Sequence, residues 1–289
     1  MITAQILSQK LGGRWFGNYG AAPCPVCQSE RKIGQNALTI SDGDSHLLIH
    51  CKKLGCNFRD IIAAAGITGG SWISTNPTEV LQGKVQAKKE ASKRSQQARL
   101  LWSEALPITG TVAERYLRKR HIDCILPDTL RFHPNCWHHS AKYLPAMIAL
   151  IDGVEDFALH RTYLLPDGSG KAQVDRPKAM LGNVSGGAVR LVKEPGPLVV
   201  AEGIETALSL SCGILNGPAT IWAALSTSGF KSLRLPRNPE KLTIAADNDH
   251  AGHKAAYELA TTAVLNGWEV SLLTPPLGLD WNDVLQGSI

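Results

Sequence analysis

The sequence predicts an α/β protein with three parts: a Rossmann-like parallel sheet in the last third, an α+β region before it, and a small N-terminal β ribbon. Three observations support this prediction. Short apolar segments alternate with amphipathic helical segments after residue 196, two apolar segments near the middle flank an Asp-Gly turn, and two cysteine pairs enclose a hairpin pattern. The predicted parts are 1–67 for the ribbon, 68–92 for a linker, 93–195 for the middle region and 196–289 for the parallel sheet.

The composition is typical of a globular protein and excludes membrane-spanning, collagen-like and disordered classes. Hydrophobic residues make up 44% and charged residues 19% of the chain. The longest apolar run, from Tyr143 to Ile151, is short and interrupted by Pro145. The first residues lack the basic start and long apolar stretch of a secretory signal. We therefore expect a cytoplasmic protein with no membrane partner.

Basic residues are concentrated in the first third of the chain. Residues 1–100 carry 13 Lys and Arg against 6 Asp and Glu, whereas residues 101–289 carry 17 against 19. Such an asymmetry suits a protein in which one part holds a polyanion and another holds divalent cations. Residues 84–99 alone carry six cations against one acid. They predict a charged helix, either with a solvated face or with a nucleic-acid contact.

Four of the seven cysteines lie between positions 24 and 56, and an odd total argues against a disulfide framework. The four are Cys24, Cys27, Cys51 and Cys56. Two close pairs suit one tetrahedral zinc ion, whose four protein ligands would leave no position for a catalytic water. Two alternatives remain open. His50 could replace Cys51 as a ligand, or the four could be buried free cysteines.

The ribbon itself is predicted from the residues around these pairs. Strand patterns at 37–40 and 46–50 flank a Ser-Asp-Gly-Asp turn, and Asn57–Gly66 has the pattern of a short capped helix. Three aromatic residues precede the first pair: Trp15, Phe16 and Tyr19. They are suited either to stacking on bases or to packing in the core of the ribbon.

The middle region predicts helices at 100–106 and 111–120, followed by an antiparallel pair of strands, 146–151 and 157–165. Between them, 132–139 contains one cysteine and three histidines without paired spacing. We interpret this segment as a loop with packing histidines and not as a second metal site.

Three basic side chains of the middle region are candidate contacts for nucleotide or nucleic acid: Arg161, Arg176 and Lys178. Arg161 lies on the second predicted strand, and the other two lie in a basic turn after it. Together they predict a strip that faces phosphates, with ordinary surface charges as the alternative.

The last third alternates strands and helices. Strand patterns occur at 197–201, 220–225, 241–246 and 268–274, with helical patterns at 204–212 and 253–266. This order predicts a parallel sheet with helices on both faces. In such sheets, ligands bind where the carboxyl ends of the strands meet the starts of the helices.

Acidic residues lie at that predicted edge. Glu202 ends the first of these strands, and Asp247 and Asp249 follow the third. Side chains two positions apart on a strand point to the same side, so both aspartates could hold one hard cation. Magnesium or manganese there would neutralise phosphate charge, which favours phosphoryl or nucleotidyl transfer.

Three further acids lie near this edge in the sequence. Asp280 and Asp283 could supply a second magnesium or could cap a terminal helix. Glu205 lies one turn along the helix from Glu202 and is expected to be a solvated acid.

The segments Val199–Ala207 and Ala245–Gly252 resemble the Toprim domain, the metal-binding module shared by DnaG-type primases, topoisomerases, OLD-family nucleases and RecR-like mediators. The resemblance covers about residues 196–286. The N-terminal cysteine ribbon is similar to the zinc-binding domain of the same primases and of their phage and plasmid relatives. The middle region, with His160-Arg-Thr-Tyr-Leu and Gly186-Gly-Ala-Val-Arg, resembles the part that precedes Toprim in mobile-element primases.

This resemblance implies that Glu202, Asp247 and Asp249 are catalytic metal-binding acids, and that Arg161 and Lys178 guide nucleotide or template. It implies a primase that joins ribonucleoside triphosphates on a single-stranded DNA template for a phage, plasmid or other mobile element. The sequence has no Walker A motif, which predicts dependence on a separate replicative helicase. Two alternatives stay open: a Toprim nuclease and a non-catalytic RecR-like DNA-binding mediator.

Overall fold

The structure is a computed structural model that describes residues 3–28, 36–43, 47–67 and 77–287. The chain divides into two compact units, Met1–Ala91 and Ser92–Ile289, and each is described by itself. Within the described ranges, no helix has the length and apolar character needed to cross a membrane.

The first unit is built on a four-stranded antiparallel sheet in the order β1-β2-β3-β4. Its strands are β1 Arg14–Trp15, β2 Gly20–Ala22, β3 Leu38–Asp42 and β4 Leu47–Cys51. The predicted hairpin is confirmed, because β3 and β4 pair from Leu38 with Cys51 to Asp42 with Leu47. Asp44 and His46, which belong to the predicted turn and second strand, lie outside the described residues.

Two short helices complete the first unit, α1 Ala4–Lys10 and α2 Phe58–Ala64. The predicted helix after the cysteines is thereby confirmed. The side chain of Asn57 accepts the Arg59 N–H at the start of α2. Gly66 has a φ of 66°, the left-handed conformation that favours glycine after a helix. Helices and sheet share an apolar core that includes Leu7, Ile40 and Ile61.

A long helix, α3, extends from Pro77 to Glu104. It contains the predicted charged helix of residues 84–99, and its C-terminal turns contain most of the helix predicted at 100–106. Residues 77–92, part of the segment predicted as a linker, are also helical. Lys, Gln, Ala and Glu dominate there, and all four are strong helix formers. Residues 68–76 of the predicted linker lie outside the described residues.

The second unit contains two five-stranded sheets. The first is antiparallel in the order β5-β6-β7-β8-β9. Its strands are β5 Leu106–Pro107, β6 Leu130–His138, β7 Lys142–Ile151, β8 Ala158–Tyr163 and β9 Lys178–Leu181, and helix α4 Val112–Arg118 precedes β6. The predicted antiparallel pair is confirmed as β7 and β8.

The prediction of a loop at 132–139 was wrong, because most of this segment is the strand β6. Phe132, Cys136 and His138 are buried, and the pairing with β7 shifts between His133 and Cys136. The polar residues that suggested a loop therefore occupy a strand with an irregularity in its middle.

The second sheet has the order β10-β12-β11-β13-β14. Its strands are β10 Val189–Val192, β11 Leu198–Ala201, β12 Thr220–Ala223, β13 Lys241–Ala245 and β14 Glu269–Leu273. The predicted parallel sheet is confirmed for β11 to β14, and the unpredicted strand β10 adds an antiparallel edge. The helices of this region are α5 Ile204–Ser209, α6 Thr227–Ser232, α7 His250–Leu265 and α8 Trp281–Gly287.

Alternating residues of the central strand face two different cores. Val199 and Ala201 join the core that contains α5 and the first sheet, whereas Leu198 and Val200 join the core that contains α7. A strand buried on both faces explains the continuous apolar pattern of β11. Because β11 and β13 are adjacent and parallel, their carboxyl ends meet at one edge of the sheet.

Candidate functional site

The four predicted cysteine ligands converge in the first unit. The Sγ atoms of Cys24, Cys27, Cys51 and Cys56 all lie within 4.8 Å of one another, and those of Cys27 and Cys51 are 3.6 Å apart. A zinc ion with four bonds of 2.3 Å would hold its sulfurs about 3.8 Å apart. The cluster therefore fits zinc, and its four ligands suit a structural site. The cysteines are neither paired in disulfides nor scattered through the core.

Local hydrogen bonds bring the two cysteine pairs into place. Gln28 Oε1 accepts the N–H groups of Cys24 and Ala37, which ties the first pair to the residue before β3. Burial raises the pKa of the Cys51 thiol, but backbone N–H groups after it outweigh that effect and lower the pKa overall. The thiolate that zinc requires is thereby favoured. His50 is exposed and lies outside the cluster, because side chains alternate along β4.

The three predicted catalytic acids lie at the edge where β11 and β13 end. Glu202 follows β11 directly, and Asp247 lies two residues beyond β13. Asp247 Oδ1 accepts the Thr206 hydroxyl at 3.4 Å. Asp249 is the N-cap of α7, and its Oδ1 accepts the Gly252 N–H at 2.6 Å. Each aspartate is thus held by a neighbouring helix.

A glycine lies where the acids meet. A Cβ atom on Gly252 would lie 2.8 Å from the Asp247 carbonyl oxygen, 3.2 Å from Asp249 Oδ1 and 3.5 Å from Glu202 Oε2. Glu202 and Asp249 therefore direct carboxylate oxygens toward the same point, although they come from different strand ends. A side chain at position 252 would fill the space between them. Only glycine leaves this space, here called the cradle, open.

The charges at this edge repel one another. Burial, followed by the charges of Asp247 and Asp249, raises the pKa of Glu202 to about 7. Burial, followed by the charge of Asp280, raises the pKa of Asp247. Carboxyl groups that raise each other's pKa are stabilised by a cation among them. The donor set is all oxygen, which fits magnesium or manganese.

The three carboxylates of Glu202, Asp247 and Asp249, here called the acidic edge, are more widely spaced than the sulfur atoms of the cysteine cluster. Among the described residues, only the four cysteines bring three or more ligand atoms within 4.8 Å of one another. The carboxylates are more widely spaced than that. Magnesium keeps several of its waters when it binds protein, so a wider set of carboxylates suits it better than it would suit zinc.

Asp280 and Asp283 lie at the start of α8. Asp280 Oδ1 accepts the N–H groups of Asn282 and Asp283, and Asp283 Oδ2 accepts the Asp280 N–H. These bonds are those of a helix cap. Asp280 also raises the pKa of Asp247, which places its charge within reach of the acidic edge.

The expectation that Glu205 is a solvated acid was wrong. Glu205 is 5% exposed, and its Oε2 lies 2.9 Å from Lys178 Nζ. Its Oε1 lies 3.7 Å from Lys171 Nζ and accepts the Tyr116 hydroxyl at 2.9 Å. The sequence analysis did not predict a role for Lys171 or Tyr116, because a loop and a helix far apart in the chain bring them to α5.

The three basic candidates do not form one strip. Lys178 pairs with Thr162 and Arg161 pairs with Ala179, so Arg161 and Lys178 lie on opposite faces of the first sheet. The Arg161 guanidinium donates to the carbonyl oxygens of Trp137 and Met180. By contrast, the Arg176 side chain is 78% exposed.

The three aromatic residues before the first cysteine pair differ in burial. Trp15 packs against the core of the first unit. Phe16 and Tyr19 are exposed and stack on each other, with ring centroids 5.2 Å apart and 19° between the planes.

The comparisons with known proteins identify the C-terminal part. Residues 197–288 match the family model described as Toprim domain, and residues 92–191 match one described as Domain of unknown function (DUF7146). No curated protein matches the chain. A crystal structure of the Aquifex aeolicus primase, with its zinc binding and RNA polymerase domains, is 14% identical. The similarity covers 98% of this chain and 79% of that one, with a TM-score of 0.42.

Proposed function

We propose that this protein, whose residues 197–288 form a Toprim domain, is a DNA-templated primase. In the proposed reaction, the 3′-oxygen of one ribonucleotide forms a bond to the α-phosphorus of the next ribonucleoside triphosphate. The bond from that phosphorus to the bridging oxygen of the β-phosphate breaks, pyrophosphate leaves, and the proton of the 3′-hydroxyl passes to water. The observation that carries this proposal is the meeting of Glu202 and Asp249 around Gly252, beside Asp247.

Glu202, Asp247 and Asp249 would hold magnesium or manganese, which when bound supplies positive charge to the triphosphate and lowers the pKa of the 3′-hydroxyl. The chain itself prepares this site. Thr206 fixes the Asp247 carboxylate, and the Gly252 N–H fixes that of Asp249. Fixed carboxylates around an open cradle need little rearrangement when the substrate arrives.

Lys178 supplies positive charge beside these acids. Its charge opposes the rise in pKa of both Glu202 and Asp247, which places it within electrostatic reach of the acidic edge. Glu205 fixes the Lys178 ammonium group at 2.9 Å. We propose that Lys178 orients the triphosphate and that Arg176, with its exposed guanidinium, contacts nucleic-acid phosphates. Arg161 is proposed to support the same region from the opposite face of the sheet.

The first unit is proposed to bind a zinc ion and to contact the single-stranded template. Its four cysteines suit a closed structural site. The stacked, exposed rings of Phe16 and Tyr19 suit contact with unpaired bases. Residues 1–91 carry ten Lys and Arg against six Asp and Glu, an excess that suits the phosphate backbone.

The proposed setting is the replication of a phage, plasmid or other mobile element, in the cytoplasm and together with a separate helicase. The resemblance of the middle region to mobile-element primases supports the first part. The proposed activity supports the second, because a primase acts on single-stranded template that a helicase exposes.

A product assay tests this function. The full chain is incubated with single-stranded DNA, four ribonucleotides of which one is labelled, and magnesium or manganese. We expect short labelled RNAs that depend on the template and disappear in Asp247→Ala. Degradation of the template would instead indicate a nuclease, and DNA binding without any product would indicate a mediator.

A further inference from the structure

Two large aromatic rings lie exposed at the tip of the β6–β7 hairpin in the second unit. Trp137 and Tyr143 face each other across the two strands. Their ring centroids are 5.2 Å apart at an interplanar angle of 66°. The Trp137 residue is 49% exposed and Tyr143 is 65% exposed. Paired aromatic rings that remain half in water present a large apolar surface to a ligand.

The backbone beneath these rings is firmly held. The Trp137 carbonyl oxygen accepts the Tyr163 hydroxyl at 2.6 Å and also accepts a bond from Arg161. His138, which is buried, donates from Nε2 to the Arg176 carbonyl oxygen at 3.3 Å. The hairpin tip and the turn that carries Arg176 are therefore tied together. A fixed surface loses little conformational entropy when it binds.

Cations lie around the hairpin tip. Lys142 is exposed, but it pairs with His138 and therefore lies on the face opposite Tyr143. The exposed His139 lies at the tip, and the exposed Arg176 lies on the adjoining turn. Asp175 is the acid in contact with this group, at 3.9 Å from both Arg176 Nε and His139 Nε2. Two permanent cations and a histidine against one acid leave a positive balance. Aromatic rings interleaved with cations are the chemistry that recognises single-stranded nucleic acid.

The aromatic pair lies on the same face of the sheet as Lys178. Met147 pairs with Thr162, and Thr162 pairs with Lys178, so these three positions share one face. Tyr143 is four residues before Met147 on β7 and therefore shares that face, about 13 Å away along the strand. Arg176 is two residues before Lys178. The two exposed rings and Lys178 therefore share one face of the sheet.

We infer that Trp137, Tyr143 and Arg176 form a stacking platform for unpaired bases of single-stranded DNA, here called the hairpin platform. Duplex DNA keeps its bases inside the helix, so the rings would discriminate in favour of single strands. The phosphates would contact Arg176. The choice of DNA rests on the proposed function, in which the platform leads the template toward the acidic edge.

Equilibrium binding of the full chain to a labelled oligodeoxythymidylate tests the platform. We expect the double variant Trp137→Ala with Tyr143→Ala to bind at least about tenfold more weakly, because each stacked base contributes substantially. Trp137→Phe with Tyr143→Phe should restore most of the affinity. Tyr257→Ala is the matched control, since Tyr257 is 61% exposed on α7. Its affinity should equal that of the unaltered chain.

The stacked pair of the first unit also offers rings to DNA, so the same variants are measured with Phe16→Ala and Tyr19→Ala present. If the Ala double variant keeps its DNA affinity both with and without Phe16→Ala and Tyr19→Ala, the platform is overturned. The same result is expected if this surface binds a protein instead of DNA. Arg176→Ala should reduce the slope of log affinity against log salt by about one, as the loss of one phosphate contact requires. An unchanged slope would remove Arg176 from the platform.

The product assay separates this inference from the proposed function. In a working primase, the Ala double variant should raise the KM for template and leave kcat unchanged. If the chain makes no RNA but the double variant still loses DNA affinity, the primase proposal fails and the platform stands. If RNA is made and DNA affinity is unchanged in the variant, the platform fails and the primase stands.

Discussion

The two clusters of candidate metal ligands are built in opposite ways. The four cysteine Sγ atoms converge within 4.8 Å of one another. The carboxylates of Glu202 and Asp249 lie on two sides of Gly252, and together with that of Asp247 they are more widely spaced. Backbone N–H groups favour the Cys51 thiolate that zinc requires, whereas burial and the charges of Asp247 and Asp249 raise the pKa of Glu202 to about 7. A small sheet can thus assemble a closed sulfur site, while a large sheet keeps an acidic site open for water and substrate.

A second comparison lies at the start of α5. Glu202 and Glu205 are three residues apart, yet burial and neighbouring acids raise the pKa of Glu202. For Glu205, Lys178 and Lys171 overcome the effect of burial and hold the pKa far below its usual range. The negative charge of Glu205 is therefore balanced by two lysines, and this contact links α5 to the first sheet of the second unit. The negative charge of Glu202 is not balanced in this way and is available to a cation.

Cys51→Ser should have the largest effect, because it removes one ligand from the closed cluster. Structural zinc sites in small domains supply about 10 kcal/mol or more of binding free energy. We expect loss of bound zinc and rapid proteolysis within residues 36–67. Metal analysis and limited proteolysis measure both. Cys212→Ser, in the second unit, is the control and should keep its zinc; a fully zinc-loaded Cys51→Ser protein would contradict the ligand assignment.

Glu205→Gln should lower the free energy of unfolding by about 2 kcal/mol, because two partly buried lysines lose their counter-charge. Glu258→Gln is the control, since its 2.7 Å bond to Lys231 is exposed and should contribute less than about 1 kcal/mol. Denaturant unfolding measures both. Equal effects from the two variants would show that the ion pairs of Glu205 stabilise the fold no more than an exposed ion pair does.

The same pair predicts a pH dependence. The pKa of Glu205 is lower in the folded protein than in the unfolded chain, where glutamate has a pKa of about 4.3. The ionised Glu205 therefore stabilises the fold fully above that pH. This stabilisation is lost as the pH falls through the pKa of the folded protein. The difference in stability between the unaltered chain and Glu205→Gln should therefore be constant near neutral pH and shrink below about pH 4. A difference that grows on acidification would contradict this.

Gly252→Ala should reduce primer synthesis by about tenfold or more, since displacement of a catalytic group by a fraction of an ångström is costly. The new Cβ would lie 2.8 Å from the Asp247 carbonyl oxygen. Gly287→Ala is the control, because a Cβ there meets no atom within 4 Å. Undiminished synthesis by Gly252→Ala would show that the cradle is not part of the site.

Asp283→Ala should have the smallest effect, a loss of about 1 kcal/mol from the cap of α8, with primer synthesis retained. The cap bond joins Asp283 Oδ2 to the Asp280 N–H at 3.0 Å. Thermal unfolding and the product assay together separate the two roles. Loss of synthesis with normal stability would instead make Asp283 a ligand of a second metal.

The features that sequence reasoning could predict are those with a local pattern. Paired spacing identifies the cysteines, and an apolar strand followed at once by an acid identifies Glu202 and Asp247. Both depend on a few consecutive residues. The fold then brings them together, because parallel neighbours end at one edge.

The features that could not be predicted depend on pairing between distant segments. The faces of Arg161 and Lys178 are set by the register of β8 with β9, and the connection between these strands does not encode that register. The burial of Glu205 depends on lysines from another sheet. The strand character of 132–139 is imposed by its neighbour β7, although its own residues are typical of a loop.

Manganese binding tests the central claim, that the acidic edge is an open site for a hard cation. Mn²⁺ is titrated into the zinc-loaded full chain and followed by its electron paramagnetic resonance signal, with Asp247→Asn and Glu258→Gln in parallel. We predict exchangeable Mn²⁺ binding that Asp247→Asn abolishes and Glu258→Gln preserves, while zinc stays bound in all three proteins. Mn²⁺ binding that is unchanged in Asp247→Asn would contradict the claim.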